Sequence, residues 1–293
     1  MAVVYIKNES LRVGVAPTYG ARVVSLVRKA TGREWMTQGP ESRNTGEDAH
    51  YMGAEAVGWD ECFPTVSPWD GAGTAWGRRL RDHGDLWGRP SELVSGGPTA
   101  ITLRFSTPQF RFTRELRLEG ASLVARYEAE NLGTQALPYL WALHALLAVA
   151  DGDRIELPGV DRLDATYLSL GGQRLDVPSL VWPGPDGTLP FGLDVVQPKS
   201  AEFAGKFFAS GQGRRARVGQ ANDRLEIAWA EPINDLGIWL TYGGWPALGG
   251  NREIALEPTS ARADHVGEAI AAGAAPLEPG ERRAWWVRLT VGD

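Results

Sequence analysis

Between residues 110 and 129, apolar and polar positions alternate with a period of two. Phe110, Phe112, Leu116 and Leu118 share one face with Arg114, while Arg111, Thr113, Glu115 and Arg117 take the other. Leu123, Ala125, Tyr127 and Ala129 repeat the pattern after the Glu119-Gly120 turn, which predicts an antiparallel hairpin with one wet face. Shorter strands are predicted within residues 3–28, where VVYIK, LRVGV and RVVSLVR are separated by Asn8-Glu9-Ser10 and Pro17-Thr18-Tyr19-Gly20. Further strands are predicted at residues 225–229, 237–242, 253–257 and 284–291, and only residues 261–272 carry a helical pattern. The chain therefore reads as overwhelmingly β. No composition shift marks a linker, and a β domain can exceed 200 residues undivided, so one domain is expected over residues 1–293.

Residues 137–150, LPYLWALHALLAVA, break the alternation: the run is apolar on both faces and contains His144. A membrane span needs about 20 apolar residues, so a buried strand is predicted, central in its sheet and following the hairpin in the same sheet. Residues 40–98 form a long stretch rich in Gly and Pro, with two clusters that set ionisable groups beside aromatics, Gly58-Trp59-Asp60-Glu61-Cys62-Phe63-Pro64 and Asp82-His83-Gly84-Asp85-Leu86-Trp87. A loop system of this length, with four tryptophans in it, points to function rather than disorder. Residues 151–224 read as irregular, with an apolar segment at 202–209 interrupted by Glu202 and Lys206.

The formal net charge of −6 argues against nucleic acid or an anionic membrane as the main partner. The single cysteine, Cys62, allows no intrachain disulfide and is expected to act as a small buried hydrophobe. The first residues lack a basic stretch followed by a long apolar one, so the cytoplasm is the expected location. His50, His83, His144 and His265 are widely spaced, with no Cys pairs and no HExxH, so no metal site is expected. Neither a phosphate-binding Gly loop nor a GxSxG elbow is present, which sets aside nucleotide cofactors and acyl transfer. Twelve tryptophans leave room for aromatic platforms beside core packing.

What remains is acid–base chemistry. Strand alternation puts Glu253, Ala255 and Glu257 on one face and Ile254 and Leu256 on the other, with Pro258 ending the ladder. Glu257 is thus a carboxylate at a strand end, able to reach a cleft. His144 is an imidazole in apolar surroundings, which needs nearby carboxylates if it is to hold a proton.

The order of His83-Gly84, then His144 within an apolar strand, then Leu256-Glu257-Pro258 resembles the aldose 1-epimerase, or galactose mutarotase-like, superfamily, and the 58–65 block looks like its divergent bacterial members. The resemblance spans nearly the whole chain. It implies a β-supersandwich of large twisted antiparallel sheets and a cofactor-free isomerase that interconverts the α and β anomers of a free or modified aldose. Glu257 would be the base that removes the O1 proton, and His144 the acid that protonates ring O5. His83 would bind the sugar, with Asp60 or Glu61 supporting the charge on His144. Arg89 would follow the His-Gly motif, Lys206 falls near the place of a substrate-binding aspartate, and Trp239, Tyr242 and Trp245 would be stacking platforms, with Trp239 assigned to the core. Leu143-His144-Ala145-Leu146 stands where well-known galactose mutarotases have Asn-His-x-Tyr-Phe-Asn, which leaves the sugar open. Two alternatives stand beside this reading. One is a hexose-6-phosphate mutarotase, in which Arg78, Arg79, Arg81 and Arg89 would converge on a dianion; the other is a non-catalytic carbohydrate-binding protein of the same fold. A small-molecule sugar is the expected partner, and the chain is expected to be a monomer or homodimer.

Overall fold

The structure is a computed structural model that describes residues 2–39, 51, 56–210 and 213–292; His50 lies outside the described residues. Two large antiparallel sheets account for most of the secondary structure. The first, eleven-stranded, runs in the order Val4–Lys7, Leu11–Ala16, Arg22–Arg28, Trp59–Cys62, Ala142–Leu147, Arg252–Thr259, Asp235–Tyr242, Phe203–Ser210, Arg162–Leu170 and Gln173–Arg174, with Ser179–Val181 paired to Arg162–Leu170. The second, eight-stranded, runs Arg154–Glu156, Arg215–Gln220, Asp223–Trp229, Arg282–Gly292, Ser122–Asn131, Phe110–Glu119, Ala100–Ser106 and Glu92–Gly96. One hydrophobic cluster unites residues of both sheets, among them Leu143, Leu256, Ile238 and Phe207 of the first with Phe110, Leu116, Tyr127 and Val287 of the second. Sheet-on-sheet burial of this kind is the main favourable contribution to folding.

The predicted hairpin is present as Phe110–Glu119 and Ser122–Asn131. Arg114 occupies its apolar row because it meets a buried carboxylate there: Arg114 Nη1 donates to Glu61 Oε1 over 2.7 Å. The strand holding His144 is central, as expected, but it belongs to the other sheet. Ser122–Asn131 is already flanked by Phe110–Glu119 on one side and by Arg282–Gly292 on the other, so it has no free edge for the next strand to join. The chain crosses instead to pair Ala142–Leu147 with Trp59–Cys62 and Arg252–Thr259.

Residues 151–224 are more ordered than their pattern suggests, because Arg162–Leu170 and Phe203–Ser210 pair along nearly their whole length. Phe203, Ala204, Phe207 and Phe208 are buried, so both faces of their strand are covered and alternation is lost. The predicted helix shortens to Val266–Ala271, capped by His265, whose Nδ1 accepts from the Glu268 N–H at 3.3 Å. Among the described residues, no helix is long and apolar enough to cross a membrane.

Candidate active site

The central strand Ala142–Leu147 has two buried faces of different kinds. Leu143, Ala145 and Leu147 enter the intersheet core, while His144 and Leu146 line a cavity of about 340 Å³. This explains the missing wet face in the sequence: the second face is covered by the walls of a pocket. Strand Arg252–Thr259 divides in the same way, with Ile254 and Leu256 in the core and Glu253 and Glu257 on the cavity.

Pairing registers bring the charged groups into one cross-strand row. Ala142 pairs with Thr259 and Leu146 with Ala255, which sets His144 across from Glu257. His144 in turn pairs with Asp60, and Glu257 with Gly237. Val23 pairs with Trp59, so Arg22 continues the row beside Asp60. Laterally paired residues project from the same face of a sheet. Arg22 Nη2 donates to Asp60 Oδ2 at 2.6 Å, and its Nη1 donates to the Val57 carbonyl at 2.7 Å. His144 Nδ1 donates to Asp60 Oδ1 at 2.7 Å. At the far end Lys206 Nζ donates to Glu257 Oε2. Gly237 makes room for that pair, since a Cβ there would stand 2.9 Å from Glu257 Oε2 and 3.5 Å from Lys206 Nζ.

Burial pulls the His144 pKa down, but the charge and hydrogen bond of Asp60 outweigh it, and the imidazole ends above its ordinary value. Asp60 is pushed up by burial and down by Arg22 and His144, and the cations win. Lys206 loses charge stability to burial and regains more from Glu257 and Asp264, so its pKa rises.

His83 reaches the cavity from the loop after the short Arg79–Leu80 strand, in a left-handed conformation at φ 57°. The glycine after it is required: Gly84 has φ 72°, and a Cβ there would fall 2.2 Å from the Phe63 carbonyl oxygen. His83 Nδ1 donates to Asp82 Oδ1 at 3.1 Å, and burial, its largest influence, lowers its pKa, which favours the neutral ring. Tyr51 stacks on His83 with ring centroids 3.7 Å apart, and its hydroxyl lies 3.4 Å from His144 Nδ1. Trp239 and Trp245 form an edge-on pair at the other wall, centroids 5.8 Å apart, over a small apolar patch of Ala56, Leu146 and Ala255.

His144, Glu257, His83, Lys206 and Trp245 thus line one cavity, with Asp60 immediately behind His144. Glu61 and Arg89 are not brought to it. Trp59–Cys62 is a strand, so Glu61 points away from Asp60 into the core, where it accepts from Trp59, Arg114, Tyr127 and Trp141. Arg89 lines a separate cavity with Arg78, Arg79, Arg81 and Asp85. Two of those arginines hold their own loop, Arg78 on Asp85 and Arg81 on the carbonyls of Gly84 and Trp87. Tyr242 is buried in the core, whereas Trp239, assigned there by its pattern, lines the cavity.

Sequence reasoning did not find Tyr51, Arg22, Asp264 or Glu253 as site residues. Only Glu253 had left a signal, since it lies on the cavity face of its strand four residues before Glu257. Its Oε1 accepts from Asn251 Nδ2 at 3.0 Å, while Oε2 has no hydrogen-bond partner among the described residues. Burial raises its pKa from 4.5 to about 7. A carboxyl that is more basic when folded holds its stabilising proton fully below the unfolded value, and that contribution is lost as pH rises through the folded one. Glu253→Gln should therefore gain up to about 3 kcal/mol over the wild type above pH 7 and almost nothing near pH 4.5. Urea unfolding at the two pH values measures this, and an equal gain at both would contradict it.

No family model matches the sequence. No curated protein matches it. Solved structures do. The chain is similar to the Slr1438 protein of Synechocystis sp. PCC 6803 at 19% identity and TM-score 0.70, over 99% of this chain and 96% of that one. It is similar to a proposed aldose 1-epimerase of Escherichia coli K12 at 18% identity and TM-score 0.64, over 99% and 98%. It is similar to a galactose mutarotase-like protein of Lactobacillus casei at 14% identity and TM-score 0.66, over 99% and 100%. The chain has the galactose mutarotase-like fold. Near-complete coverage in both directions means that the likeness extends over the whole chain.

Proposed function

We propose that the protein is a mutarotase, an isomerase that interconverts the α and β anomers of an aldose. The observation that carries the reading is the placement of His144 across from Glu257 on the floor of one cavity, with Asp60 and Arg22 behind the histidine. Ring opening needs a proton taken from O1 and a proton given to O5. A sugar lying over the row presents O1 to Glu257 and O5 to His144, whose Nδ1 is held by Asp60 so that Nε2 carries the transferable proton. After rotation about C1–C2, His144 takes the O5 proton back and Glu257 returns one to O1, closing the ring on its other face. His83, neutral and held by Asp82, can meet a sugar oxygen, and Trp239 and Trp245 offer apolar faces to the ring.

The cavity suits an uncharged sugar. Among its described lining residues the only permanent cation is Lys206, which is paired with Glu257, and the arginine group opens elsewhere. Polarimetry on freshly dissolved α-D-glucose and α-D-galactose, with glucose 6-phosphate as the third substrate, tests the proposal. Acceleration over buffer that disappears in His144→Ala supports it. Binding with no acceleration, or acceleration that survives His144→Ala, defeats it.

The charge on Asp60 yields a pH prediction. His144 must be protonated to open the ring, so kcat/KM falls as pH rises through its pKa, which Asp60 holds up. Asp60→Asn should move the alkaline limb of the pH profile to lower pH while leaving the acid limb in place. An unmoved alkaline limb would remove His144 from the role of acid.

A further inference from the structure

Cys62 stands two residues after Asp60 on the same strand, so it projects from the same face, towards the histidines. One ligand atom each from Cys62, His83 and His144 lies within 4.8 Å of the others, and the two imidazole centroids are 4.7 Å apart. In both histidines Nδ1 is engaged by a carboxylate, Asp82 for His83 and Asp60 for His144, which leaves Nε2 as the ligating nitrogen. A metal-binding histidine characteristically gives its other N–H to such a partner, which sets the tautomer and the ring direction and strengthens the ligand. Here that outer shell is built twice, and Arg22 anchors one half of it.

We propose that Cys62, His83 and His144 form a binding site for a thiophilic divalent cation of the Zn²⁺ or Co²⁺ class, with its remaining coordination position facing the sugar cavity. Thiolate and imidazole donors favour such ions over Mg²⁺ or Ca²⁺, which take oxygen ligands. A tetrahedral ion with metal–sulfur bonds of about 2.3 Å and metal–nitrogen bonds of about 2.0 Å holds its ligand atoms roughly 3.3–3.6 Å apart. Ligand atoms no more than 4.8 Å apart therefore need to close by at most about 1.5 Å. On binding, the Cys62 S–H bond breaks, its proton leaves to solvent, and the sulfur lone pair forms the metal bond; any proton on Nε2 of either histidine is released in the same way.

The consequence for catalysis rests on the mutarotase reading, whereas the binding does not. A metal on His144 removes the proton donor, so Zn²⁺ and sugar turnover exclude one another at this site.

Cobalt titration of the purified, reduced protein at pH 8 tests the site without reference to activity. A thiolate-to-cobalt charge-transfer absorption in the near ultraviolet, with tetrahedral bands in the visible, is expected at one equivalent and is displaced by Zn²⁺ but not by Mg²⁺. Cys62 is the only cysteine in the chain, so a thiolate band can arise from no other residue. Cys62→Ser should abolish that band, Asp82→Asn should weaken binding by about 10–100-fold, and His83→Gln should weaken it at least comparably. Should the serine variant not fold, as judged by circular dichroism, the other two variants decide the matter. Absence of the band in the wild type, or binding unchanged in both Asp82→Asn and His83→Gln, overturns the site. Cobalt binding without mutarotation would leave the metal site standing and remove the proposed function; mutarotation without cobalt binding would do the reverse.

Discussion

Glu257→Gln is expected to lower kcat/KM for mutarotation by about 10²–10⁴-fold, the usual contribution of a positioned general base. The amide keeps the shape of the carboxylate and can still accept from Lys206, so the loss reports on proton transfer more than on packing. Exchange NMR on an equilibrated anomer mixture measures the effect without a chromophore and separates it from the spontaneous background. Lys206 gives the internal comparison. Its ammonium is paired with Glu257. Lys206→Met, which removes this partner and leaves the carboxylate in place, should lower the rate by less than Glu257→Gln does. Equal activity of Glu257→Gln and wild type would eliminate Glu257 as the base.

A second large effect is expected on stability, far from any substrate. Glu61 and Arg114 form an ion pair between the two sheets, with side-chain exposures of 2% and 3%. Removing one partner from such a pair typically costs about 3–5 kcal/mol, because the other is left charged and buried. Arg114→Met should lower stability by that amount in urea unfolding. Adding Glu61→Leu should recover only part of the loss. The indole N–H groups of Trp59 and Trp141 and the Tyr127 hydroxyl all donate to Glu61, and they would be stranded in the double variant. Full recovery would mean that these donors find other acceptors.

The Glu61–Arg114 pair also marks where the sequence was legible and where it was not. Period-two alternation made the 110–129 hairpin readable, and it placed Arg114 among apolar neighbours without naming its partner, which is 53 residues away. Asp60 and Glu61 are adjacent and chemically alike, yet one supports His144 and the other braces the core. Only their membership of a strand separates them, and Trp59–Cys62 is four residues long, too short to reveal its period against a Gly- and Pro-rich background. His144 could be singled out as the one histidine in an otherwise apolar run, and Glu257 as a carboxylate at the end of an alternating strand. Tyr51 and Arg22 sit in segments whose local pattern carries no trace of the cavity, since what brings them there is pairing and packing between distant parts of the chain. The arginines near His83 are close to it in sequence, but several of their donors are taken by carbonyls and a carboxylate of the same loop. Proximity along the chain therefore said nothing about where they open.

The cross-strand row that holds Arg22, Asp60, His144 and Glu257, with Lys206 reaching in over Gly237, alternates in sign from end to end when His144 is protonated. In the proposed reaction one proton leaves the second cation of this series as another arrives on the second anion. The total charge of the site is then the same before ring opening, in the open form and after closure. Nothing has to be drawn from bulk solvent to reset the protein between turnovers. A site with this symmetry can speed the approach to equilibrium from both sides while leaving the position of that equilibrium to the sugar.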